Sequence, residues 1–234
     1  MKRMRGWVIV VIILGTLAAL APWIQRQLPP GYDPFSPLSI DDPPTFITRL
    51  KMKSVASDPE ACLAVLKQAQ ENGRLRFSEA NDISGQCPVA SPVRIQGFGA
   101  VTLNSSFLAS CPLALSSTMF VAQVAVPQAQ SLGTTLTRID HMGSYACRNI
   151  YHRPEGRLSE HATADAWDIA AFRLSDGRQV SVLNQWSATD ERGSYLRTTF
   201  RESCRFFGNA LGPEYNAAHA NHFHFGMRGF GVCR

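Results

Sequence analysis

The sequence predicts an α+β domain: a central antiparallel sheet with flanking helices. Three observations carry this. Short runs alternate apolar and polar residues with period two, other runs repeat apolar residues at helical spacing, and the two kinds do not follow one another in βαβ order. With 234 residues, the chain can bury one core after its N-terminus is set aside.

In chain order, a basic flank (Lys2, Arg3 and Arg5) precedes an apolar run over 6–24. This reads as a membrane-spanning helix or a signal peptide. Ala19-Leu20-Ala21 resembles a cleavage site, but Pro22 follows it directly, so an uncleaved anchor is expected over 1–24. Basic residues stay cytoplasmic. The expected location is therefore the inner membrane, single-pass, with the C-terminal domain in the periplasm; a secreted periplasmic protein is the alternative. Residues 25–59 carry Pro29-Pro30, Pro34, Pro37 and Pro43-Pro44, which predicts an extended proline-rich linker. The folded domain is expected over 60–234. Its first helix covers 61–71, with Leu63, Val65, Leu66 and Ala69, and ends before Gly73. A β-like stretch follows over 92–103, then a helix over 112–132 that Pro127 bends or splits. Residues 134–139 read as a strand. Residues 168–174 and 179–183 alternate around Ser175-Asp176-Gly177, a hairpin signal. Leu196, Phe200, Cys204, Phe207 and Leu211 form one apolar stripe, predicting a helix over 194–211. Residues 223–227 return as a strand.

Six cysteines, at 62, 87, 111, 147, 204 and 233, all follow the apolar run and fit an oxidising compartment. Cys62 with Cys87 is the first pairing to expect, and the rest stay open. No Cys-x-x-Cys occurs, which argues against cysteine-bound zinc. The net charge of +5 suits work beside anionic lipid or wall polymer. No Lys/Arg run interleaves with aromatics beyond the anchor, so nucleic acid is not an expected partner. Oligomeric state is open.

Four of the six histidines lie in two segments, Ser159-Glu160-His161-Ala162-Thr163-Ala164-Asp165-Ala166-Trp167-Asp168 and His219-Ala220-Asn221-His222-Phe223-His224. On an extended backbone His222 and His224 point to one face, and Phe223 to the other. His161 is expected on a loop and Asp168 at the mouth of a strand beside the one carrying His224. Imidazoles with one carboxylate and an open position for water form the ligand set of a catalytic zinc site. The bland reading is that His219 and His222 merely line a polar groove.

The first segment resembles the S-x-H-x-x-G-x-A-x-D signature of D-alanyl-D-alanine peptidases, whose superfamily includes lysostaphin and the hedgehog N-terminal domain (LAS-type metallopeptidases). Ser159, His161, Ala166 and Asp168 match, while Ala164 stands in place of the glycine. The second segment resembles the H-x-x-H-x-H of murein endopeptidases. Residues 62–225 most resemble the bacterial extensin-like C-terminal family, through Ser144-Tyr145-x-Cys147-Arg148, Ser159-Glu160-His161-Ala162 and His222-Phe223-His224. The resemblance implies that His161, Asp168 and His224 hold Zn2+ and that His222 sits beside the metal water. It makes His219 a further active-site imidazole. D-Ala-D-Ala dipeptidases have a glutamate where this chain has Asn221, which leaves histidine to act as base. The implied activity is a zinc peptidase acting on peptidoglycan stem peptides or cross-links. The alternative is a catalytically silent zinc-containing wall-binding domain.

Arg148 could hold a substrate carboxylate or oxyanion, or pair with Asp140 or Glu160. Glu160 reads as a loop charge and Asp165 as water-facing. His141 and His152 read as surface or hydrogen-bonded loop residues, and Trp167 and Trp186 as core. No Ser-x-x-Lys occurs, so a penicillin-binding serine mechanism has no support.

Overall fold

A computed structural model describes residues 2–229 and 231–234; Met1 of the basic flank lies outside the described residues. The first helix, α1 (Lys2–Gln27), contains Pro22. Among the described residues no single helix is long and apolar enough to cross a membrane. Val10–Thr16 and Ala19–Gln27 pass that test together, with a 41° bend between them. The break between the two pieces lies about one turn before Pro22, where a proline ring disfavours a continuous helix.

Residues 25–59 are not only a spacer. They contain α2 (Phe46–Ala56), capped by the Thr45 hydroxyl, and Leu38 and Ile40 are buried in the main core. Gln123 Nε2 donates to the carbonyls of Ile40 and Asp42 at 2.7 and 2.9 Å. The proline-rich stretch between α1 and α2 runs through turns and bends, and two of its apolar side chains find a core to enter.

Asp58 caps α3 (Pro59–Glu71). The sheet begins with β1 (Arg76–Glu79), β2 (Val93–Phe98) and β3 (Val101–Ala109). The stretch expected as one β-like run is thus a hairpin, turned at Gly99 with φ 57°. Next come α4 (Cys111–Phe120), a π-turn over Val121–Ala125 and α5 (Val126–Ser131). Pro127 splits this helix as expected, and the wider turn absorbs the missing N–H. β4 (Leu136–Gly143), β5 (Ala166–Leu174) and β6 (Gln179–Ser181) follow. Then come α6 (Val182–Gln185), α7 (Glu191–Ser203), β7 (Asn209–Leu211), β8 (Phe223–Gly226) and β9 (Val232–Cys233).

The fold is α+β. One nine-stranded sheet runs β1-β2-β3-β4-β5-β8-β7-β9, with β6 also paired to β5. Its pairs are antiparallel except β3–β4 and β7–β9. Helix α7 stops at Ser203, short of the expected 211, because Cys204 is tied to Cys233 and Asn209–Leu211 pair with β8. The stripe through Phe207 and Leu211 was a turn and a strand continuing the same apolar face.

Phe120 and Phe207 pack against Phe225, and Phe200 against Phe223. Trp167 stacks on Phe107 with centroids 4.9 Å apart. Trp186 packs edge-on against Phe200 and Phe223. Trp167 is fully buried, and Trp186, half-buried, packs against the same core.

The disulfides are Cys62–Cys111, Cys87–Cys147 and Cys204–Cys233, so the expected Cys62–Cys87 pair does not form. Cys62 on α3 faces the start of α4, with Cα atoms 6.1 Å apart. Cys87 lies in the β1–β2 connection against the segment after β4.

Candidate metal centre

Strands β5 and β8 pair antiparallel with Asp168 opposite His224, the adjacency expected from the sequence. Alternation sends Trp167, Ile169, Phe223 and Phe225 into the core, and Asp168 and His224 to the opposite face. There His224 Nδ1 lies 2.9 Å from Asp168 Oδ1. His161 arrives from a 3₁₀ turn, Glu160–Thr163, whose N-cap hydroxyl, Ser159, accepts the His161 N–H. Its Nε2 lies 3.1 Å from Asp168 Oδ2. One atom each from His161, Asp168 and His224 falls within 4.8 Å of the others, and all three residues are buried.

The far sides of both rings are also held. His161 Nδ1 donates to the Ser144 carbonyl at 2.7 Å, and Ala146 N–H donates to the His161 carbonyl at 3.0 Å. Ser144 is in turn fixed by its hydroxyl on the Leu108 carbonyl. His224 Nε2 lies 3.3 Å from Glu160 Oε2. A backbone carbonyl behind one imidazole and a carboxylate behind the other are what a metal-ligating histidine pair needs. Two imidazoles and a carboxylate suit a first-row divalent ion. The donor set fits a metal.

His222 and His219 stand at the edge of this group. His222 Nε2 is 3.7 Å from Asp168 Oδ1, and its Nδ1 bonds to Asn221 Oδ1 at 2.8 Å. His219 Nδ1 bonds to Asn216 Oδ1 at 2.7 Å, and its ring lies 5.3 Å from that of His222 and 5.7 Å from that of His224. A cleft of about 500 Å³ opens over these imidazoles, with Arg148, Tyr151 and Tyr215 on its walls. Tyr151 and His152 at its rim both have left-handed backbones, φ 56° and 55°. Arg148 has no acid partner among the described residues. Asp140 is taken by Arg138 and Arg173, and Glu160 by His224, Asn209 and Arg228.

Burial opposes ionisation of Asp168, but hydrogen bonds from His161 and His224 overcome it and hold the carboxyl far below the usual range. Burial likewise disfavours a charged His224, yet its bonds to Asp168 and Glu160 raise it to about 9. His219 is lowered to about 4, first by burial and then by the neighbouring imidazoles. His222 is lowered too, chiefly by burial. The cleft therefore holds a tightly paired ligand group flanked by imidazoles that stay neutral near physiological pH.

Three expectations change. Glu160 is no loop charge: it is half-buried against His224, Asn209 and the Arg228 N–H, and its place beside His161 in the motif was the signal for it. Asp165 does not face open water, since the Thr163 hydroxyl donates to it at 2.5 Å. His141 is buried on β4, bonded to the Ser105 carbonyl at 2.8 Å, and plays no part in the cleft. His152 is exposed at the cleft edge.

The family model described as "Extensin-like protein C-terminus" matches residues 60–234. The chain belongs to the extensin-like C-terminal family. The extensin-like region takes in the His–Asp–His group, His219, His222, Arg148 and all six cysteines, and leaves out α1, α2 and the docked 31–45 segment. Neither a curated protein nor a solved structure matches the chain.

Proposed function

We propose that this extensin-like protein is a zinc-dependent peptidase cutting D-amino-acid-containing bonds of peptidoglycan stem peptides or cross-links. In this reading α1 holds it in the inner membrane and the domain works in the periplasm. The observation that carries the proposal is the convergence of His161 Nε2, Asp168 and His224 Nδ1 beneath a cleft lined by two further neutral imidazoles. The likeness of both histidine segments to LAS-type peptidases supports it.

Bound there, zinc would act as a Lewis acid and bring a water's pKa toward about 7. His161 and His224 would hold it through nitrogens already turned toward Asp168. His222 works as the base. Asn221 Oδ1 accepts its Nδ1–H, which leaves the Nε2 lone pair facing the cleft, and its lowered pKa keeps it ready to take a proton. The same nitrogen then returns the proton to the leaving amine. Histidine so replaces the carboxylate absent at position 221. His219, held neutral with its Nδ1–H on Asn216 Oδ1, keeps an Nε2 lone pair as a second proton acceptor at the cleft. Arg148, with no acid partner among the described residues, offers its guanidinium for a substrate carboxylate or the oxyanion.

The test is a digest. The purified full-length chain should carry stoichiometric zinc, lost in His161→Ala and Asp168→Asn. It should cleave muropeptides in a chelator-sensitive, penicillin-resistant way. His222→Ala should keep the zinc and lose about 10²–10⁴-fold in rate. Stoichiometric zinc with no cleavage of any wall peptide would instead establish a silent binding module. A mature N-terminus near residue 22 would remove the anchor.

A further inference from the structure

We propose that Glu160 is a positioning residue that holds His224 as its Nε2–H tautomer, so that His224 can offer the metal only Nδ1 while His161 offers only Nε2. The inference rests on the metal reading above and adds to it a residue outside the ligand set.

The Glu160 carboxylate occupies a built cradle. Oε1 accepts the Arg228 N–H at 2.6 Å, and the Asn209 amide reaches Oε1 and Oε2 at 3.1 and 2.9 Å. Gly226 makes the room: a Cβ there would lie 2.5 Å from both carboxylate oxygens. Asn209 stands opposite Gly226 in the β7–β8 ladder, so the cradle is part of the sheet that carries His224. The Arg228 guanidinium closes it from the other side. It donates to the carbonyls of Leu158 and Ser159, each at 3.1 Å, and to the Thr163 hydroxyl at 2.6 Å. The turn that carries both Glu160 and His161 is thereby clamped to the end of β8.

So held, Glu160 has one contact left to make, with His224 Nε2 at 3.3 Å. The ring of His224 lies between two carboxylates, Nδ1 toward Asp168 and Nε2 toward Glu160. His161 presents Nε2 to the same Asp168, so the space shared by the three ligands is on the Nδ1 side of His224. A neutral imidazole carries one N–H. With Nδ1 given to a metal, that N–H is on Nε2, where Glu160 accepts it. His161 is built in the opposite sense, its Nδ1–H fixed on the Ser144 carbonyl. Carboxylates that orient a ligand imidazole contribute about 10–100-fold to metal affinity.

Two measurements on the full-length chain test this. Nitrogen-detected NMR of the zinc-loaded, histidine-labelled wild type should show His224 bound through Nδ1 with a proton on Nε2, and His161 the reverse. A His224 bound through Nε2 overturns the proposal whatever the variants do. Competition with a chromophoric chelator should show Glu160→Gln and Gly226→Ala weakening zinc by about 10–100-fold, the second by pushing the carboxylate out without removing it. Wild-type affinity in both variants overturns the role of Glu160 and leaves the metal centre standing. A wild-type chain that takes up no zinc overturns the metal reading itself, and this proposal with it.

Discussion

Residue 164 closes the turn that carries His161 with φ 54° and ψ 31°, in the left-handed region, although it is an alanine. That conformation costs an L-residue about 1–2 kcal/mol. Glycine at 164 removes the cost. It also deletes a methyl packed with Val89 and Leu108, about 0.8 kcal/mol, and adds about 0.5–1 kcal/mol of backbone entropy. These offset, so Ala164→Gly should leave the urea midpoint nearly unchanged. Ala164→Val should lose at least about 1–3 kcal/mol by overpacking, on top of β-branching at positive φ. Proton linkage is also decided at single residues. His224 lies above its ordinary value of 6.5, at about 9, so its contribution is full below 6.5 and lost as pH rises through 9. His219 is depressed from 6.5 to about 4, so its contribution is full above 6.5 and lost on acidification toward 4. The metal-free chain should therefore be most stable near 6.5 in a thermal-melt series across pH. Zinc should flatten the alkaline side, because a bound His224 is already neutral. A metal-free optimum above 9 would contradict the His224 pairing.

The segment between β4 and the His161 turn holds the site together by one covalent tie. Cys147, exposed and bonded to buried Cys87, lies three residues after Ser144, whose carbonyl orients His161, and next to Arg148. The Tyr145 hydroxyl donates to the Cys87 carbonyl at 3.1 Å, a second tie between the same two segments. The bridge spans a sequence separation of 60, worth about 4 kcal/mol in the chain-entropy view. Cys62–Cys111 spans 49 and should stabilise by a similar amount, but it joins α3 to α4, away from the ligands. Replacing either pair by serine should lower stability comparably in denaturant titrations. Only the Cys87/Cys147 pair should also weaken zinc. Equal zinc affinity in both double variants would free the site from this tether.

Across the whole molecule, the extensin-like region is extended by chain that its family model does not cover. Leu38 and Ile40 sit in the same apolar core as α3 and α4, and Gln123 in the π-turn donates to the carbonyls beside them. Ile40→Ala should cost about 2–5 kcal/mol and shift a single cooperative unfolding transition. A free linker would show no change. The bend in α1 ahead of Pro22 leaves the anchor to be tested by fractionation: removing α1 should release the chain from membranes into the soluble fraction with its zinc retained.

Much of this was legible because it is local. Period-two alternation places His222 and His224 on one face and Phe223 in the core wherever an extended strand forms. Gly73, Pro127 and Gly177 act within a few residues of themselves. The cysteine count and the even pairing needed no structure. What only the tertiary structure decided involves partners far apart in the chain. Asp168 and His224 are 56 residues apart and Glu160 and Arg228 are 68 apart. Such pairs depend on which strands lie side by side, and the choice of Cys111 over Cys87 for Cys62 has the same origin. The stripe through Cys204 misled because helix, turn and strand can share one apolar face. The sequence by itself determined the chemistry on offer and which faces would be apolar. Packing decided who stands behind each imidazole, because the burial that selects those contacts belongs to the whole sheet and not to any segment of it.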